Sequence, residues 1–154
     1  MQPSASIRVR PAGPADAGMI AGFQIEMARE TESLALDPAT VRRGVQAVFN
    51  DPAKGRYWLA ECDGQVAGCM MATPEWSDWR NGTVLWIQSL YVPPAFRRRG
   101  VFGALYAHLK ALVRQDAGLM GIRLYVDRRN RAAQEAYERV EMDGEHYRLY
   151  EWMR

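Results

Sequence analysis

The run Arg97-Arg98-Arg99-Gly100-Val101-Phe102-Gly103 combines residue types suited to holding an anion. Its guanidiniums offer charge and forked donors that match phosphate oxygens. Its glycines let another backbone or a ligand come close. Upstream, Leu85-Trp86-Ile87-Gln88-Ser89-Leu90-Tyr91-Val92 is apolar, β-branched and aromatic, and reads as a buried strand stopped by Pro93-Pro94. Downstream, residues 104–113 have helical apolar spacing. The arginines and glycines therefore sit at a strand-to-helix junction. There the N–H groups of the first turn and the helix dipole favour negative charge. The predicted chemistry is the holding of a phosphate or pyrophosphate. No Gly-Lys-Ser/Thr follows, so the run is not a P-loop. The first Gly of G-x-G-x-x-G is missing, so it is not the dinucleotide fingerprint.

The bulk properties narrow the classes. A chain of 154 residues is most simply one domain around one core, spanning 1–154. Its 48% hydrophobic content fits a globular protein and argues against disorder. Net charge is only +2, and basic residues mix with acidic ones outside 97–99 and 128–131, which is no general nucleic-acid footprint. Cys62 and Cys69 fall on neighbouring expected strands and, with two scattered histidines, assemble no zinc set. They read as small buried core residues, and no metal is expected. Residues 1–6 lack an apolar signal core, and no apolar run reaches transmembrane length. The expectation is a soluble cytoplasmic protein with no membrane and no nucleic-acid partner.

The elements that must position the basic turn follow in order. Residues 7–10 alternate apolar and basic like an edge strand. Pro14 suits a first helical position, and Ile20, Phe23, Ile25 and Met27 give a loosely amphipathic helix to about Glu30. Glu26 and Glu30 lie four apart on one face, with Glu32 close by, as either a solvated acidic face or a catalytic one. Asp37-Pro38 starts a second helix, striped by Val41, Val45, Val48 and Phe49. Residues 56–62 and 65–73 read as a hairpin closed by Asp63-Gly64, with Met70 and Met71 as core filling. Residues 74–82 read as a loop carrying Trp76 and Trp79, which either cover the core edge or wall a pocket. Residues 119–126 read as a fifth strand, 130–139 as a helix capped by Asn130, and 145–152 as a closing strand. The order is β-α-α-β-β-β-α-β-α-β. The unit from 83 to 126 makes strands four and five parallel.

Arg97-Arg98-Arg99-Gly100-Val101-Phe102 resembles the Arg/Gln-x-x-Gly-x-Gly/Ala motif of the GNAT superfamily of acyl-CoA-dependent N-acetyltransferases, with Phe102 where Gly or Ala is usual. A second match, Asn130-x-x-Ala133-x-x-x-Tyr137-Glu138, falls after strand five, and Glu141-Met142 stands where Gly-Phe or Gly-Met is usual. The element order is similar to the GNAT fold over nearly the whole chain. The resemblance implies an α/β (mixed α+β) domain. Its central sheet is mostly antiparallel with parallel, splayed strands four and five, and is flanked by helices. It implies acetyl-CoA in the splay. The backbone of Leu90, Tyr91 and Val92 would pair with the pantetheine as an added strand. The turn Arg97, Arg98, Arg99, Gly100, Val101, Phe102 and Gly103 would hold the pyrophosphate, and Asn130 would contact the pantetheine.

The implied chemistry is direct acetyl transfer from the thioester to a primary amine of a small molecule or peptide. The amine must lose a proton, since a lysine-like group has a pKa of about 10.4, and the departing thiol, of pKa about 8.5, gains one. Tyr137 matches the family's usual general acid; a buried helix aromatic is the competing reading. Relatives often carry a carboxylate on strand four at positions matching Gln88 or Ser89. Gln88 can only orient a water or the substrate. One of Glu26, Glu30 and Glu32, which precede the second helix, is then the candidate for relaying the proton through water. The amine is expected beside the end of the first helix and the loop 74–82. The alternative is a non-catalytic acyl-CoA-binding sensor or partner module, which Phe102 and the missing strand-four carboxylate favour and the intact Asn130 and Tyr137 oppose. A homodimer is compatible with the sequence.

Overall fold

The computed structural model describes residues 6–154, so the reading of residues 1–5 lies outside the described residues. The chain divides into two compact units, Met1–Arg123 and Leu124–Arg154. The first holds a five-stranded sheet in the order β1-β2-β3-β4-β5, formed by Ile7–Pro11, Arg56–Cys62, Gln65–Ser77, Gly82–Tyr91 and Leu119–Arg123. Pairing is antiparallel from β1 to β4 and parallel between β4 and β5, as the crossover through the intervening helix requires. β1 is an edge strand, as its alternation predicts. The same unit contains α1 (Ala17–Glu32), α2 (Pro38–Asn50) and α3 (Val101–Gln115).

Each start has a local cause. Pro14 opens a single 3-10 turn, Pro14–Asp16, rather than α1 itself. Asp16 Oδ2 accepts from the Gly13 amide at 2.8 Å and from Arg10 at 2.9 Å, and Arg10 Nε donates to Glu61 at 2.6 Å. That pairing holds the Asp16 carboxyl below the ordinary carboxylate range. Asp37 caps α2, accepting from the Thr40 amide at 2.8 Å, with Pro38 at the first helical position. Ile20 and Ala21 of α1 and Val45 and Val48 of α2 pack on Tyr57, Leu59 and Cys69 of the sheet. On the sheet's other helix, Leu105 and Leu109 are fully buried. Burying each such aliphatic side chain contributes about 1.5–3 kcal/mol. Gly68 of β3 is required here, because a Cβ would come within 2.7 Å of Val101 Cγ1. That close approach seats the start of α3 on the sheet.

Three expectations are corrected. The segment 74–82 is mostly not a loop: β3 runs on to Ser77, Trp76 pairs with Thr83, and only residues 78–81 turn. Pro74 is accommodated within a long hairpin whose arms keep their register through Pro74↔Leu85. The fifth strand stops at Arg123 rather than Val126. No closing strand forms at 145–152 among the described residues. The second unit holds one helix, α4 (Arg131–Arg139), and no strand, so within that unit residues 145–152 have no ladder to join.

Candidate active site

The site is built around β4. β3 pairs with β4 from Ser77↔Gly82 to Cys69↔Tyr91. β5 pairs with it only from Thr83↔Leu119 to Trp86↔Arg123. From Ile87 to Tyr91, β4 therefore has a ladder on one side and, among the described residues, no strand on the other. Strand edges of this kind accept an added extended chain. A register shift opposite Met71/Ala72 leaves Gln88 as the extra residue on β4, exposed, while Ser89 returns to the buried side.

β4 leads through a short 3-10 turn, Pro94–Phe96, into the basic turn. Arg98 has φ 61° and Gly100 has φ 85°, so the left-handed region is used twice within three residues. Such turns lay successive N–H groups around a concavity that suits an anion. Gly100 is the N-cap of α3, and the first intrahelical bond of the turn runs from the Ala104 amide to the Gly100 carbonyl at 3.0 Å. A Cβ built on Gly103 meets nothing within 4 Å, so the first turn faces open space there. Phe102, the departure from the usual motif, stacks on Tyr106 one turn along α3 with ring centroids 6.1 Å apart.

The arginines divide their work. Arg97 donates to the Val92 carbonyl at 2.9 Å and to Glu30 Oε2 at 2.5 Å. The other Glu30 oxygen accepts from the Tyr91 hydroxyl at 3.1 Å. Glu30 thus clamps the end of α1 to the end of β4. Burial and the adjacent Glu30 carboxylate push the Tyr91 phenol up. Arg99 lies 3.2 Å from Cys62 Sγ and 3.5 Å from Asp63, against the β2–β3 hairpin. Arg98 is exposed. Two of the three guanidiniums thus hold the turn to the scaffold, a division that residue type alone did not reveal.

On the side of β4 facing α1 and α2 lies a pocket of about 330 Å³. Gln88 and Ser89 of β4, Gln24 and Glu32 of α1, Gly44 of α2, Tyr57 and Met71 line it, among others. Gln24 donates to Ser89 Oγ at 3.2 Å. Burial pushes the Tyr57 phenol up to about 12, so it stays neutral. The pocket brings Glu32 and Gln88 together and leaves Glu30 to the clamp. Trp76 and Trp79 are 64% and 89% exposed, so they do not cover the core, and neither lines the pocket. Sequence reasoning missed Gln24 and Gly44 altogether and read Met71 only as core. The helical spacing of Gln24 and Ala28, four apart on α1, was the available signal.

In the second unit, Asn130 caps α4, its side chain accepting from the Ala133 amide at 3.1 Å. Tyr137 is a half-buried residue of α4 whose phenol burial pushes up, so it keeps its proton at neutral pH. Among the described residues no cluster of His, Cys, Asp or Glu could hold a metal ion. Cys62 and Cys69 are buried free thiols, as expected. No helix among the described residues is long and apolar enough to cross a membrane.

A parallel β4–β5 pair in which β5 ends at Arg123 while β4 runs on to Tyr91, with an anion-ready helix start after β4, defines an α/β fold of the acyltransferase type. Residues 19–142 match the Acetyltransferase (GNAT) family, and the chain belongs to it. The crystal structure of a possible acetyltransferase from Clostridium difficile 630 is 39% identical, covers 96% of this chain and 97% of its own, and has a TM-score of 0.89. Two more distant structures share the fold at 14% identity. An aminoglycoside N-acetyltransferase, AAC(6')-Iy, in complex with CoA covers 100% of this chain and 98% of its own with a TM-score of 0.78. A ribosomal-protein-alanine N-acetyltransferase from Brucella melitensis biovar Abortus 2308 covers 96% and 100% with a TM-score of 0.76. No curated protein sequence matches the chain.

Proposed function

We propose that the protein transfers an acetyl group from acetyl-CoA directly to a primary amine. The observation that carries this is the open edge of β4 at 87–91 running into the basic turn and the first turn of α3. In this reading Leu90, Tyr91 and Val92 offer backbone pairing to the pantetheine. The turn from Arg98 through Gly103 holds the diphosphate, with Arg97 and Arg99 fixing its shape. Asn130 and Tyr137 take their roles from the Asn-x-x-Ala-x-x-x-Tyr-Glu motif, as pantetheine contact and proton donor.

The neutral amine forms a C–N bond to the acetyl carbonyl, the C–S bond breaks, and the sulfur leaves with its electron pair. The nitrogen sheds one proton and the sulfur gains one. Tyr137, holding its proton at neutral pH, serves as the donor to sulfur. Glu30 acts as a positioning residue, because both of its oxygens are engaged in the clamp. Glu32 and Gln88 are left facing the acceptor, Glu32 to draw a protonated amine and relay its proton through water, Gln88 to orient it.

The test is calorimetry with acetyl-CoA, followed by a thiol-release assay on a panel of primary amines. Micromolar binding and amine-dependent thiol release are expected. Absence of acetyl-CoA binding by the folded protein overturns the reading. Binding without release by any amine would favour the non-catalytic module.

A further inference from the structure

We propose that the acceptor amine carries one positive charge and an apolar side group, and that this group seats in the pocket beside α1 and α2. The inference deepens the acetyl-transfer reading and rests on it. The pocket, at about 330 Å³, lies at the small end of ligand sites. Its walls come from Met27, Leu36, Val41, Val45 and Met71. Glu32 is the single charged residue in the lining. The Tyr57 phenol is neutral and adds no charge.

These features separate acceptor classes. A polyamine or an aminoglycoside carries several ammonium groups. One carboxylate would pair with one of them and leave the rest against aliphatic and thioether walls, where an unpaired charge is costly. An amine with an aliphatic, thioether or aromatic side group loses only apolar surface to water on entering. The polar groups gather on β4 and α1 as Gln88, Ser89 and Gln24. Gln88 and Ser89 immediately precede the open-edge residues Leu90 and Tyr91. The amino end therefore faces β4, and the side group points toward α2.

Gly44 supplies the decisive variant. It lines the pocket from α2, and a Cβ there meets nothing within 4 Å. Gly44→Leu thus has room, improves helix propensity, and adds bulk at the pocket wall. With acetyl-CoA saturating, kcat/KM for leucinamide should exceed that for spermidine or kanamycin at least tenfold. Gly44→Leu should raise the leucinamide KM at least tenfold and leave the acetyl-CoA KM unchanged. Equal or better use of spermidine or kanamycin, or an unchanged leucinamide KM, overturns the proposal. A second measurement does not depend on turnover. In the full chain carrying isotope-labelled methionine methyls, leucinamide should shift the Met27 and Met71 signals saturably and leave Met19 and Met120 in place. It should lose this effect in Gly44→Leu. No shift at Met27 and Met71, or an equal shift with spermidine, overturns the pocket assignment. If no amine releases thiol while those shifts are present, the transfer reading fails and the pocket assignment stands.

Discussion

The two sides of β4 are built on opposite principles. On one side, the strand edge, the basic turn and the start of α3 offer backbone groups and fixed charge. On the other, α1, α2 and the sheet offer shaped apolar walls with one carboxylate. The first arrangement is generic, because backbone amides and a helix dipole recognise a diphosphate whatever lies beyond it. The second is particular to the side chains present. Specificity therefore resides on the acceptor side: the donor side of such a protein is readable from a motif, while the acceptor side is read from the packing.

The largest expected effect breaks the donor side alone. Gly103→Asp places a carboxylate in the first turn of α3, where there is open space. A helix N-terminus tolerates or favours an acidic residue, so the melting temperature should hold or rise slightly. The same charge repels the diphosphate, and acetyl-CoA affinity should fall about a hundredfold, equivalent to roughly 2.7 kcal/mol. Calorimetry and thermal melts on one preparation check both directions. A loss of stability together with affinity would mean that the turn is structural only.

Next in size is Tyr137→Phe. Turnover should fall roughly ten- to a hundredfold, at or below the usual range for a positioned acid, with acetyl-CoA affinity unchanged. Steady-state assays at saturating acetyl-CoA decide it, and wild-type turnover returns Tyr137 to a packing role. Glu30→Gln loosens the clamp between the end of α1 and the end of β4. The pair is part-exposed, so the stability change should stay within about 1 kcal/mol. Turnover should fall a few-fold, and its pH profile should keep its shape. A lost acid limb in that profile would instead make Glu30 the base.

The smallest effect concerns the scaffold under α1. The Arg10 pairing lowers the Asp16 pKa in the folded state. A depressed carboxyl contributes stability above its unfolded value of about 3.9, and the contribution is lost as pH falls through the folded value. The melting temperature should therefore drop on acidification below about pH 4, and Asp16→Asn should flatten that part of the drop. An identical acid limb in the variant would assign the loss to other carboxylates.

What was legible followed from local rules. Asp37-Pro38, Asp63-Gly64 and Pro93-Pro94 mark boundaries because caps and turns depend on a few neighbouring residues. The basic turn was legible because its charge and glycines are contiguous. The pocket was not, because Gln24, Gly44 and Met71 come from three elements and meet only through tertiary packing. The Trp76–Trp79 segment misled because tryptophans suggest cover, yet a long hairpin holds them exposed. Residues 145–152 read as a closing strand, but a strand needs a ladder and local sequence alone does not provide one.

Hydrogen exchange on the full chain with and without acetyl-CoA decides whether acetyl-CoA lies along the unpaired edge of β4 and against the start of α3. Slowed exchange is expected in peptides covering residues 87–92 and 98–104, with α2 unchanged. Unchanged exchange in those two segments at saturating acetyl-CoA, or protection confined to α2, would contradict it.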